Sequence, residues 1–183
     1  MASIADTIQR DIINAFEQER INWQTATFDP PAVVRGALAG WAGMTTEMML
    51  YRRLGVTQMS IARIEGTFFA PPGTTQAEVI GNAIHLMMST AIGFAYAAGY
   101  RLTGLRPNWK TGLLGGVIHW SIAAPVVLLW SKVHPRRPFG PRMPGFGGFA
   151  LGAASGLAFL AAHLTYGTIF GWQYGAVKRG AGQ

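Results

Sequence analysis

Four runs of mostly apolar residues, each near the length that crosses a bilayer, dominate this chain. A spanning helix needs about 20 such residues, because the hydrocarbon core is about 30 Å thick. Inside that core every backbone N–H and C=O must be satisfied within the segment, which leaves the helix as the form such runs can take. The runs cover residues 33–50, 79–100, 111–130 and 146–172. The expected fold class is therefore all-α: a polytopic, four-transmembrane-helix bundle over residues 33–175. An N-terminal amphipathic helix and linker (1–32) precede it, and a short basic tail (176–183) follows.

Charge supports this. Only 13% of the residues are Asp, Glu, Lys or Arg, against about 25% in an ordinary soluble domain. The net charge of +7 is spread over every loop, which suits anionic headgroups at a lipid bilayer and not a nucleic acid. The absence of cysteine excludes disulfides, thiolate metal sites and cysteine nucleophiles. The first twenty residues are polar and mixed in charge. They lack the apolar region of a cleaved leader, so the first span is expected to act as an uncleaved insertion signal.

Between the runs the signals are local. Residues 3–22 predict a helix, with Ser3 and Asp6 as a cap, an Asp6–Arg10 pair, and Ile4, Ile8, Ile12 and Phe16 on one face. Phe28-Asp29-Pro30-Pro31 breaks it. Thr75 and Glu78 predict a capping box before the second span, residues 59–69 a short interfacial helix, and Pro125 a kink. Residues 132–148 form a basic loop rich in Pro and Gly. Trp109, Trp130, Trp172, Tyr51 and Tyr100 sit near span ends, as an aromatic belt does. Lys and Arg divide 8 to 7 between the two sides, so the positive-inside rule does not choose an orientation. A polar N-terminus without a leader is more easily left untranslocated, so the expectation is a membrane protein with both termini cytoplasmic.

Lipid removes the hydrophobic drive between helices, and small residues that allow close approach replace it. The chain has 24 glycines. The expected packing positions are Gly36 and Gly40 on the first span and Gly112 and Gly116 on the third. The second offers Ala91, Ala95 and Gly99. The fourth carries Gly148, Gly152 and Gly156, then Gly167, Gly171 and Gly175.

Ionisable groups within spans are costly and mark candidate sites. Glu47 and His85 are expected at one depth, among Met44, Met48, Met49, Met87 and Met88; His119 and His163 are expected at another. Three readings follow. Glu47 and His85 can satisfy each other structurally, with His119 and His163 bonded to backbone or hydroxyl groups. His85, His119 and His163 can hold a haem or pigment, with Gly81 and Gly115 leaving room for a flat ring, or Glu47 and His85 with nearby thioethers can hold a metal. Glu47 and His85 can also carry protons or ions. His134 reads as a solvated loop residue, and Arg136, Arg137 and Arg142 as headgroup or partner contacts. No hydrolase triad, HExxH, phosphate loop or dinucleotide fingerprint occurs.

Ile84-His85-Leu86 leads into a helix ending Ala97-Ala98-Gly99-Tyr100. Gly112-Leu113-Leu114-Gly115-Gly116 opens the third span, and Ala162-His163-Leu164, Tyr166-Gly167 and Tyr174-Gly175 mark the fourth. Together these segments resemble the YagU-like small bacterial inner-membrane proteins and related four-helix families. The resemblance covers about residues 33–175. It implies a four-helix membrane fold and no transferable activity, with the N-terminal helix and basic loop as additions. The leading expectation is a non-catalytic membrane subunit or scaffold that packs against other membrane proteins, in an energy-transducing complex and without a cofactor. The alternatives are a haem-, pigment- or metal-binding redox protein and a small proton or ion transporter.

Overall fold

The computed structural model describes residues 4–25, 28–136 and 142–180. Among these there are six α-helices and no strand. They are α1 (Ile4–Thr25), α2 (Pro30–Arg53), α3 (Ile61–Gly66), α4 (Thr75–Thr103), α5 (Trp109–Val133) and α6 (Ala153–Gly180), with a 3-10 segment, Phe146–Leu151, leading into α6.

The helix ends follow from local chemistry. The Asp29 carboxylate accepts the Ala32 N–H at 3.0 Å, and Pro30 and Pro31 occupy first-turn positions that need no N–H. α2 thus starts three residues before the expected span. The expected box at Thr75 and Glu78 does not form. Thr74 caps α4, its Oγ1 accepting the Ala77 N–H at 3.2 Å, and Glu78 instead receives the Arg63 guanidinium at 2.8 and 3.0 Å. α4 stops at Gly104, which takes a left-handed φ of +70°. Asn108 and Thr111 form a capping box on α5, which continues through Pro125. Ser3 lies outside the described residues, and Arg10 bonds to the Asp6 carbonyl at 3.2 Å.

Three helices are long and apolar enough to cross a membrane: α4, α5 and the Ala153–Ala176 part of α6. The expected first span lies within α2. That helix is long enough, but Arg35, Glu47, Arg52 and Arg53 lower its apolarity. The expected fourth span also changes. Gly147, Gly148 and Gly152 adopt φ values of +52°, +87° and +108°, which an α-helix cannot include, so α6 begins at Ala153 and not at 146.

α6 is the central helix: half of its apolar stretch is buried, against 17% for α4 and 22% for α5. Its two inner faces work differently. On one, Tyr166, Phe170 and Tyr174 stack in sequence, with centroids 6.2 and 5.6 Å apart. The Phe170 and Tyr166 rings rest where Gly36 and Gly40 of α2 have no side chain. On the other face, Gly167 and Gly171 meet Gly112 and Gly116 of α5 backbone to backbone, and Gly175 meets the Pro107 carbonyl. Each of these glycines sits where a Cβ would crowd an atom of the neighbouring segment. Gly148 and Gly152 are not helical packing positions, because both lie outside α6 in left-handed backbone. At Gly156 the nearest neighbour is the Phe149 ring of the 3-10 segment. An unanticipated pair, Gly66 and Gly81, lets α3 lie directly on α4, each facing a backbone carbonyl of the other helix.

α1 leans on the far end of α4 through Gln24, which donates to the Leu102 carbonyl at 3.4 Å, and on the connection after α4 through Glu19–Arg106 at 2.9 Å. Its apolar residues Ile8, Ile12 and Phe16 remain more than half exposed.

A Cβ on Gly112 would strike the Gly167 carbonyl, whereas one on Gly99 meets nothing within 4 Å. Overpacking of a tight contact costs about 1–3 kcal/mol. Gly112→Leu is therefore expected to lower the melting temperature in mild detergent by about 5–10 °C, while Gly99→Leu leaves it unchanged or higher. Equal melting temperatures for the two variants would contradict this packing.

Candidate functional site

α4 and α5 are joined by a short connection, yet they do not pack on each other along their length. α6 holds α5 on one side, and α2 and α3 hold α4 on the other. Between them runs a groove of about 860 Å³, floored by α2 and α6 and closed at one end by α3. Its walls are mostly apolar, with Ile92, Leu114, Ile118 and Val126 among them, and Met44, Met48, Met59 and Met88 toward the α3 end. That volume lies in the range of small-molecule and cofactor sites, about 300–1,000 Å³. Gly99 and Ala95 leave the α4 wall flat, and Tyr96 reaches across so that its ring lies over Gly115 of α5.

His119 and His163 meet on the groove wall, with ring centroids 4.5 Å apart and edge to face. Both pack against Tyr166 or Phe159. The His163 Nδ1–H donates to the Phe159 carbonyl one turn back at 2.7 Å, which leaves Nε2 as the acceptor of a neutral ring. Axial bonds of about 2 Å on opposite sides of a haem iron would hold two imidazoles about 6 Å apart, centroid to centroid. The observed pair is closer than that. The spaces beside Gly115 and Gly81 are taken by the Tyr96 ring and by the Ala62 carbonyl of α3. A bis-histidine haem does not fit here.

Glu47 and His85 do not pair. Glu47 accepts from the Tyr51 hydroxyl one turn on, at 2.8 Å, and stands off the groove. His85 instead faces Glu65 of α3, Nδ1 to Oε1 at 3.3 Å. Glu65 is only 3% exposed. Its Oε2, like Tyr96 Oη and His119 Nδ1, is buried without a protein partner. The Gly66–Gly81 contact explains the geometry: it brings α3 so close to α4 that Glu65 reaches the next turn of α4. Among the described residues no three His, Asp or Glu side chains gather in a way that could hold a metal ion.

His134 is not solvated. It is 4% exposed, and Nδ1 accepts the Arg136 N–H at 3.1 Å while Nε2–H donates to the Ile64 carbonyl at 3.1 Å. Its ring sits edge-on to Phe68 at 4.2 Å. Arg136 donates to the Thr67 and Ala70 carbonyls at 2.7 and 2.8 Å, so it ties the end of α5 to the turn after α3. Arg137 lies outside the described residues. Glu65 and the aromatic series on α6 are the site residues that sequence reasoning missed. The aromatics were visible as Phe159, Tyr166, Phe170 and Tyr174 at helical spacing, and Glu65 as a lone carboxylate in an apolar six-residue helix.

No family model matches the chain, and neither a curated protein nor a solved structure is similar to it.

Removing the Glu65 carboxylate leaves His85 Nδ1 without its partner and opens a space under α3. Glu65→Ala is expected to destabilise the fold by about 1–3 kcal/mol, while Glu65→Gln, which keeps an acceptor in place, costs less than half of that. Thermal melts in detergent measure both, and an Ala variant as stable as wild type would remove the Glu65–His85 pair from the account.

Proposed function

We propose that the chain is a non-catalytic subunit or scaffold of the bacterial inner membrane, related to the YagU-like four-helix families. On this reading α2 spans the bilayer together with α4, α5 and α6, and the groove between α4 and α5 receives an apolar segment of a partner membrane protein. The observation that carries it is the separation of α4 from α5. Two antiparallel neighbours joined by a short turn ordinarily bury their facing sides against each other. Here Ile92, Ala95 and Gly99 face Leu114 and Ile118 across open space. Small residues on one wall and branched aliphatics on the other are what close packing of a further helix uses. The exposed Ile8, Ile12 and Phe16 of α1 add a second apolar surface.

A redox reading through His119 and His163 lacks the ring separation that haem needs, and the transport reading through Glu47 and His85 lacks their contact. Neither gains from the geometry.

The test is isolation from the inner-membrane fraction in mild detergent, followed by mass spectrometry. Wild type is expected to bring down a stoichiometric membrane partner. Gly99→Leu fills the groove without a clash and is expected to lose that partner while the chain remains folded. Recovery of the same partner with Gly99→Leu, or of no partner with wild type, contradicts the proposal.

A further inference from the structure

A second cavity, of about 600 Å³, lies where α2 ends, α3 begins and the segment before the 3-10 turn passes. Arg52, Arg53, Arg63 and Arg142 line it, together with Gln58 and Ser60, and among the described residues no carboxylate does. Arg63 is held by Glu78. Arg52, Arg53 and Arg142 have no carboxylate within 4 Å among the described residues. Arg52 is half-buried; burial and then the positive charge of Arg63 lower its pKa, and the Glu78 carboxylate acts the other way. A concavity lined by one sign of charge focuses its field and concentrates counter-ions. Guanidinium groups pair with phosphate through parallel N–H donors.

The two cavities adjoin: Met49, Arg52, Ser60 and Arg63 line both. A cationic chamber therefore lies directly beside an apolar groove. Its place in the fold agrees, since it lies at the level where α2 ends and α4 begins, with the end of α5 on the same side. If α4, α5 and α6 cross a bilayer, that level is the headgroup region. The inference rests on this part of the reading above and not on the partner protein.

We propose that this chamber binds the phosphate of one anionic phospholipid. Arg52, Arg53 and Arg142 surround the headgroup, and an acyl chain passes Met49 into the α3 end of the groove. The same guanidinium chemistry would accept free phosphate. The apolar exit is what selects the lipid.

The full chain in detergent, mixed with equal amounts of phosphatidylglycerol and phosphatidylcholine and read by native mass spectrometry, provides the test. Wild type is expected to retain one phosphatidylglycerol in preference to phosphatidylcholine, and excess inorganic phosphate is expected not to displace it. Each Arg→Gln change among the three should weaken retention about fivefold. The triple variant should retain the two lipids equally. Where the triple variant does not fold, Arg142→Gln alone carries the comparison, with Arg142→Lys keeping the preference. Equal retention of the two lipids by wild type, an undiminished preference in Arg142→Gln, or displacement by inorganic phosphate would overturn the assignment. A chain that remains soluble without detergent would instead defeat the membrane reading itself, so the two failures are distinguishable.

Discussion

The arrangement depends on α5 and α6 touching backbone to backbone. Gly112 and Gly116 lie against Gly167 and Gly171 so closely that a single Cβ would overlap a carbonyl or α-carbon of the other helix. Such proximity maximises dispersion contacts where a bilayer offers no hydrophobic drive. It also fixes the rotation of α6. With its glycine face committed to α5, the neighbouring face, which carries Tyr166, Phe170 and Tyr174, must turn to α2. There Gly36 and Gly40 receive two of the rings, and the Tyr166 hydroxyl donates to the Ser89 carbonyl of α4 at 2.5 Å.

The open groove follows from that commitment. α5 spends its small residues on α6, and α4 spends Gly81 on α3. Their facing walls, with Ala95 and Gly99 on the α4 side, are held apart by the helices beneath them. Tyr96, lying over Gly115, keeps this spacing at mid-length. At the α3 end a second short-range contact, Gly66 on Gly81, buries Glu65 beside His85 and brings the basic chamber into line with the groove. His134 and Arg136 lock that end by bonding to the carbonyls of Ile64, Thr67 and Ala70. The polar groups thus hold α3 and its turn in place, while the glycines hold the long helices.

The long helices were legible in the sequence because apolar runs and their Pro and Gly boundaries are local signals. Gly36, Gly40, Gly112, Gly116, Gly167, Gly171 and Gly175 were legible for the same reason, since four-residue spacing on a helix defines a face. The start of α6 was not. Gly148, Gly152 and Gly156 continue the same spacing, and spacing cannot distinguish a glycine that packs from one that adopts positive φ. The pairing of His119 with His163 followed from depth alone. The partner of His85 did not, because Glu65 reaches it through a six-residue helix whose docking depends on Gly66 and Gly81, a tertiary contact without periodicity. His134 was misread because a histidine before proline in a basic loop has the composition of a solvated residue; its burial comes from Phe68 and from carbonyls some seventy positions earlier in the chain.

The direct test of this account is whether the space between α4 and α5 is open in the purified protein. The chain has no cysteine, so single spin labels can be placed at Ile92 and Ile118 without background, with Leu129 of α5, 56% exposed and outside the groove lining, as the outward reference. In lipid nanodiscs the account predicts that labels at Ile92 and Ile118 collide with dissolved oxygen nearly as often as one at Leu129. Immobilised labels at both sites, shielded from oxygen, would show α4 and α5 closed against each other and contradict it.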